Sequence, residues 1–153
     1  MDIITQLTRQ MNTILTSAAA SYADTLRSTD LRAAQLPYLM AVCEHPGMSQ
    51  DALAGYLGVD KSNVTRQLSQ LETLGYVARE TDTADRRRLF VHPTDRAFDL
   101  LPRLVDAVSD CQRELTRGMS AEEKELLCEL MTRMARNAAR LSAQRETEQD
   151  QDD

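Results

Sequence analysis

The chain has 153 residues, 42% of them hydrophobic and 27% charged, the size and balance of one globular domain with a modest core. No apolar run approaches the roughly 20 residues of a membrane-spanning helix, and the opening MDIITQLTRQ lacks the basic-then-apolar pattern of a secretory signal. The expected compartment is therefore the cytoplasm, with no membrane partner. Two His, five Gly and no Trp are poor material for a catalytic centre or a phosphate-cradling loop, so an enzyme is disfavoured and no cofactor is expected.

Ile4, Leu7, Met11, Ile14, Leu15, Ala18 and Tyr22 recur at three- and four-residue steps, which predicts one amphipathic helix over 3–27. A second helix is expected from about Leu31 to Glu44, stopped by His45-Pro46-Gly47. Ser49 then caps a short helix over 50–57 that Gly58 closes, and Asp60 caps the next, 61–74, with Val64, Leu68 and Leu71 as its buried stripe. Tyr76–Thr81 and Leu89–His92 read as the strands of a hairpin around the charged stretch Asp82–Arg88. Thr94 is placed to cap a helix of about 95–117, in which Pro102 predicts a kink or a late start. Ser120-Ala121-Glu122-Glu123 is a capping box opening a last helix to about Leu141. Residues 142–153 lack apolar anchors and are expected to be an acidic, disordered tail.

That tail sets Glu146, Glu148, Asp150, Asp152 and Asp153 against Arg145, and so supplies most of the formal charge of -6. Residues 61–88 carry a small basic excess, which allows a local basic surface on an acidic body. Two helices joined by Gly58-Val59-Asp60 have the layout of a helix-turn-helix, and the second leaves Lys61, Ser62, Asn63, Thr65 and Arg66 in its first turn and a half. A major groove admits a helix, and these side chains can bond phosphates and base edges. An ordinary solvated helix face has the same composition. The hairpin adds weight to the DNA reading, because Asp85, Arg86, Arg87 and Arg88 follow the helix pair in a winged-helix order, and a guanidinium on such a tip suits a narrow minor groove.

These residues resemble the MarR family of bacterial regulators. The matching stretch is Leu53-Ala54-x-x-Leu57-Gly58-Val59, then Asn63-Val64-Thr65-Arg66-Gln67-Leu68-x-x-Leu71-Glu72-x-Leu74-Gly75-Tyr76-Val77-x-Arg79, then Asp82-x-x-Asp85-Arg86-Arg87 and Val91-x-x-Thr94. Pro93 and Ala97 depart from the Leu and Gly common in the family. The resemblance implies a mainly α fold with a small β-wing, a winged helix-turn-helix domain plus a helical dimerisation region. Residues 1–141 would form a single MarR-like domain, with the winged helix at about 31–93 and dimerisation helices at about 3–27 and 95–141. It also implies a homodimeric repressor on a pseudo-palindromic site in double-stranded DNA, released by a small aromatic or amphipathic effector. DNA contacts would come from Lys61, Ser62, Asn63, Thr65, Arg66, Asp85, Arg86 and Arg87, with Arg87 in the minor groove and oriented by a salt bridge from Asp85.

No catalytic set and no metal site is assigned. Cys43-Glu44-His45 holds three ligand types, but neighbours on a helix point in different directions. Cys43, Cys111 and Cys128 fall on or near apolar stripes, where a thiol behaves as a small hydrophobe. Met11, Tyr22 and Tyr38 are candidates for lining an effector pocket. Alternative readings are a winged-helix module that binds protein and a regulator that responds to zinc or to oxidation.

Overall fold

In the computed structural model, which describes residues 2–149, the N-terminal stripe folds as α1 (Ile3–Ser21) and α2 (Ala23–Arg27), with a break at Tyr22 where one continuous helix is expected. The Ser21 hydroxyl donates to the Ala18 carbonyl at 2.7 Å and competes with the backbone ladder there. The next helix starts later than the sequence pattern suggests. Ala33–Gln35 form a single 3-10 turn, and α3 runs over Leu36–Glu44 with Pro37 in its first turn, where a missing N–H is harmless.

Met48–Ser49 form β1, a strand the sequence reading lacks. Two residues carry no periodicity, and β1 exists only because it pairs with a strand more than forty residues away. Ser49 then caps α4 (Gln50–Leu57), its Oγ accepting from the Ala52 N–H at 3.1 Å. Gly58 closes that helix at φ +65, a left-handed conformation that residues with a Cβ rarely adopt. Asp60 caps α5 (Lys61–Thr73), accepting from the Asn63 N–H at 2.6 Å.

β2 (Val77–Thr81) and β3 (Leu89–Pro93) form the expected hairpin, and the antiparallel sheet has the order β1-β3-β2. Val77 faces Pro93 and Thr81 faces Leu89, while Met48 faces Val91 on the other side of β3. Pro93 sits at the end of its strand, where a lost N–H costs little. α6 (Asp95–Leu115) starts on time and runs through Pro102. Thr94 does not cap it with its side chain: the hydroxyl donates to the Gly75 carbonyl at 2.7 Å, so a tertiary bond has displaced the local one. α7 (Ala121–Gln149) opens on the predicted capping box, with the Ser120 N–H donating to Glu123 at 2.7 Å and the Glu123 N–H to Ser120 Oγ at 3.2 Å.

α7 also corrects the expected tail. Residues 142–149 continue the helix, since the segment SAQRETEQ contains no Gly or Pro to stop it and is rich in helix-favouring residues. Residues 150–153 of that tail lie outside the described residues.

Leu39, Val42, Leu53, Val64, Leu68, Leu71, Val91 and Leu104 are fully buried, so the core lies where α3, α4, α5, β3 and α6 meet. Each buried leucine contributes about 1.5–3 kcal/mol. The outer helices differ. α1 has no buried residue, and Ile3, Ile4, Leu15, Leu126 and Met131 stand more than half exposed along α1 and α7. Among the described residues, no helix is long and apolar enough to cross a membrane.

Candidate nucleic-acid interface

α5 is held by its inner face, where Val64, Leu68 and Leu71 are each 0% exposed. That burial fixes which residues face out. Lys61, Ser62, Thr65 and Arg66 are exposed and Asn63 is half-buried, so the five side chains picked out in sequence lie on the outer side of one helix end.

Their polar atoms are already organised. The Ser62 hydroxyl donates to Asp60 Oδ1 at 2.5 Å, and Arg66 Nη2 donates to Asn63 Oδ1 at 2.9 Å. Gln50 Nε2 donates to Thr65 Oγ1 at 2.5 Å, while the Thr65 hydroxyl donates to the Lys61 carbonyl at 2.9 Å. Lys61 Nζ lies 3.3 Å from Asp51, but both side chains are exposed, so this ion pair is weak and exchangeable for a phosphate. The Ser62 hydroxyl and the Asn63 N–H hold the Asp60 carboxyl below its ordinary value.

The wing departs from expectation in one respect. Asp85 makes no ion pair with Arg87; its Oδ1 accepts from the Arg87 backbone N–H at 3.0 Å, and its carbonyl accepts from the Arg88 N–H at 2.9 Å. Asp82 closes a similar turn on the Ala84 N–H at 2.8 Å. An aspartate two residues before a free N–H forms this local turn at little entropic cost, whereas an exposed pair of side chains must order both. Asp85 thus shapes the tip backbone in the free protein, and Arg86 and Arg87 remain exposed. Arg88 leans back, with its guanidinium 5.5 Å from the Phe90 ring centre and 4.0 Å from Asp82.

A crevice of about 50 Å³ lies between the wing and the start of α4, lined by Ser49, Gln50, Asp51, Arg87, Arg88 and Leu89. Gln50 and Asp51 in its wall are the partners of Thr65 and Lys61. Arg87 and Arg88 thus lie beside the start of α4, whose Gln50 and Asp51 contact the outer side of α5.

Three further contacts, which the sequence reading did not assign, brace α5 from behind. Glu72 accepts from the Arg79 side chain at 2.5 and 2.9 Å and from its backbone N–H at 3.3 Å, tying the helix to β2, and Arg79 holds the Glu72 carboxyl below its ordinary value. Gln35, 3% exposed, donates from Nε2 to Gln70 Oε1 at 3.1 Å. Arg96, in the first turn of α6, donates to the Leu74 carbonyl at 2.6 Å, lies 4.5 Å from the Tyr76 ring centre and is 3.8 Å from Asp30. Their partners lie 7, 35 and 22 residues apart in sequence, beyond any local pattern.

The effector candidates do not converge on one described cleft. Tyr38 is buried in the core, Met11 is exposed on α1, and Tyr22 is half-buried at the α1–α2 break. A cleft of about 380 Å³ instead opens behind α5, lined by Asp30, Arg32, Gln35, Ser69, Gln70 and Thr73. Cys43 and Cys111 are buried and Cys128 is exposed; burial pushes the Cys43 thiol up, away from a reactive thiolate. His45 packs edge-on to Tyr56 at 4.9 Å.

A helix pair with an exposed, braced second helix, followed by a two-stranded wing whose tip lies beside the start of the first, defines a winged helix-turn-helix protein. Comparison with known proteins places it further. Residues 29–88 match the model of the MarR family. A protein of Thauera aromatica, named as a transcriptional regulatory protein for the hcr operon, is 34% identical over 98 residues, which cover 64% of this chain. The match spans 59% of that curated relative's length. The crystal structure of MarR superposes with a TM-score of 0.73 at 29% identity, covering 94% of this chain and 98% of that one. A MarR-type regulator of Listeria monocytogenes, solved with a 26mer DNA, shares the fold with a TM-score of 0.79 at 18% identity, covering 96% and 95% of the two chains. Residues 29–88 thus match the MarR family's model, and the chain shares the fold of MarR-type regulators.

Proposed function

We propose that the protein is a cytoplasmic, sequence-specific DNA-binding regulator that acts as a homodimeric repressor on a pseudo-palindromic operator. The observation that carries this reading is the shared crevice, which puts Arg87 beside the partners of Thr65 and Lys61, so that one face offers a helix for the major groove and a guanidinium for the minor groove. Lys61, Ser62, Asn63, Thr65 and Arg66 serve the first contact and Arg86 and Arg87 the second, with Asp85 shaping the tip. The Listeria regulator solved with DNA supports the same use of the fold.

Dimerisation is supported by the uncovered apolar residues of α1 and α7, since a face this long is best buried against a second copy. The cleft between the Asp30–Gln35 segment and α5 offers a small ligand a place from which to shift the helix and release the DNA. The test is a gel shift of the full chain on the duplex flanking its own gene, across a salt series, beside sedimentation at micromolar concentration. The reading expects a complex that survives competitor DNA and a mass near twice 17.2 kDa. Binding no tighter than to a scrambled duplex, or a stable monomer, would overturn it.

A further inference from the structure

Thr65 has one hydroxyl hydrogen to donate, and the oxygen accepts through its lone pairs. The hydrogen goes to the Lys61 carbonyl at 2.9 Å and an acceptor position is filled by Gln50 Nε2 at 2.5 Å, although the residue is exposed. Gln50 is committed to this task, because its Oε1 is buried without a partner while its amide nitrogen is spent on Thr65. With its hydrogen spent on Lys61 and one lone pair on Gln50, the hydroxyl cannot donate to a base and χ1 of this β-branched side chain is held, which leaves the Cγ2 methyl as the apolar group of an exposed residue.

Building on the DNA-binding reading above, we infer that Thr65 reads thymine through the C5-methyl group, as an apolar contact, with Gln50 as the residue that positions it. In the major groove the thymine methyl is the apolar feature of the base edges, and a threonine methyl is a suitable partner for it. The polar neighbours on α5 supply no competing apolar contact: Ser62 is bound to Asp60, and Arg66 to Asn63.

The experiment selects a binding site for the full-length protein from a randomised duplex and then replaces each thymine of that site singly by uracil, which removes the methyl and nothing else. At one thymine in each half-site the wild type should lose about fourfold in affinity, the equivalent of about 0.8 kcal/mol for one methyl taken from water. Thr65→Val should keep the preference for thymine over uracil at that position, and Thr65→Ser should lose it. Gln50→Ala should reduce the preference, an effect that a purely structural loss of affinity would not produce, since that lowers binding to both duplexes alike. Failure to select any sequence would overturn the DNA-binding reading itself. A selected site at which uracil is neutral everywhere, or a Thr65→Ser protein that still prefers thymine, would leave that reading standing and overturn this inference.

Discussion

On α5, Lys61, Ser62, Thr65 and Arg66 each bond to a group within the protein, whereas at the wing tip the Arg86 and Arg87 guanidinium groups have no hydrogen bond or ion pair among the described residues. Apart from Lys61, whose exposed ion pair is weak, the helix thus meets a partner with these side chains already hydrogen-bonded. A free arginine carries about 2 kcal/mol of rotamer entropy, part of which is lost when it docks. Proposed contacts from α5 therefore suit discrimination between sequences, where geometry must be fixed beforehand. Those from the wing suit attraction, which tolerates disorder and weakens with salt.

The contrast breaks most completely through the core. Leu68→Ala should cost about 2–5 kcal/mol in urea unfolding, because a fully buried leucine leaves a cavity beneath α5. A loss under about 1 kcal/mol would mean that the helix is not held by its inner face. Next in size is Glu72→Ala. Charge-assisted bonds are worth about 1.5–3 kcal/mol, and since the Glu72 side chain is 39% exposed, solvent brings the expected loss to about 1–2 kcal/mol. DNA affinity should drop with it, although Glu72 faces β2, and unchanged affinity would show that the strap does not position the helix.

Asp60 sharpens the comparison through pH. Its lowered carboxyl stabilises the fold above the ordinary carboxylate value, near pH 4, and that contribution is lost as pH falls through the lower folded-state value. Asp60→Asn retains a capping oxygen but has no charge. The wild type should therefore exceed Asp60→Asn by about 0.3–1 kcal/mol at pH 7, and by progressively less on acidification, as read from urea midpoints. A constant gap would assign the difference to shape instead of charge.

The wing should show the smallest stability effects. Arg87→Ala and Asp85→Asn should each change stability by less than about 0.5 kcal/mol. Their DNA affinities should separate, however. Asn makes the same local turn as Asp, so Asp85→Asn should bind at least as tightly as the wild type, while Arg87→Ala weakens binding and lowers the salt slope by roughly 0.9 if it contacts one phosphate. Equal losses from the two substitutions would mean that Asp85 acts on the Arg87 side chain when DNA is bound, as the sequence alone suggests.

What could be read in the sequence was what neighbours in the chain decide. Ser49, Gly58, Asp60 and the Ser120–Glu123 box bound their helices because a cap acts within one turn. The stripe Val64, Leu68 and Leu71 likewise announced which face of α5 is buried. Failures came where a distant partner intervenes. β1 needs Val91 and Phe90, and Thr94 gives its hydroxyl to Gly75, 19 residues back, instead of to its own helix. Gln50 looks like any polar residue after a cap, and only the folded helix pair reveals its bond to Thr65. Asp85 is the exception: its partner is the N–H only two residues on, a local turn that an aspartate forms readily and that the expected salt bridge overlooked.

Arg96 fastens four segments at once: the start of α6, the carbonyl at the end of α5, the Tyr76 ring and, more loosely, Asp30. In the proposed dimer this makes a stiff coupling between the frame that sets the separation of the two subunits and the element that enters the groove. Each base pair inserted between half-sites rotates one relative to the other by about 34–36°, from a repeat of about 10–10.5 base pairs per turn. A hinged reader would follow that rotation; a riveted one cannot. If the proposed dimer binds an operator, the spacer length would then be as much a part of the recognised message as its letters.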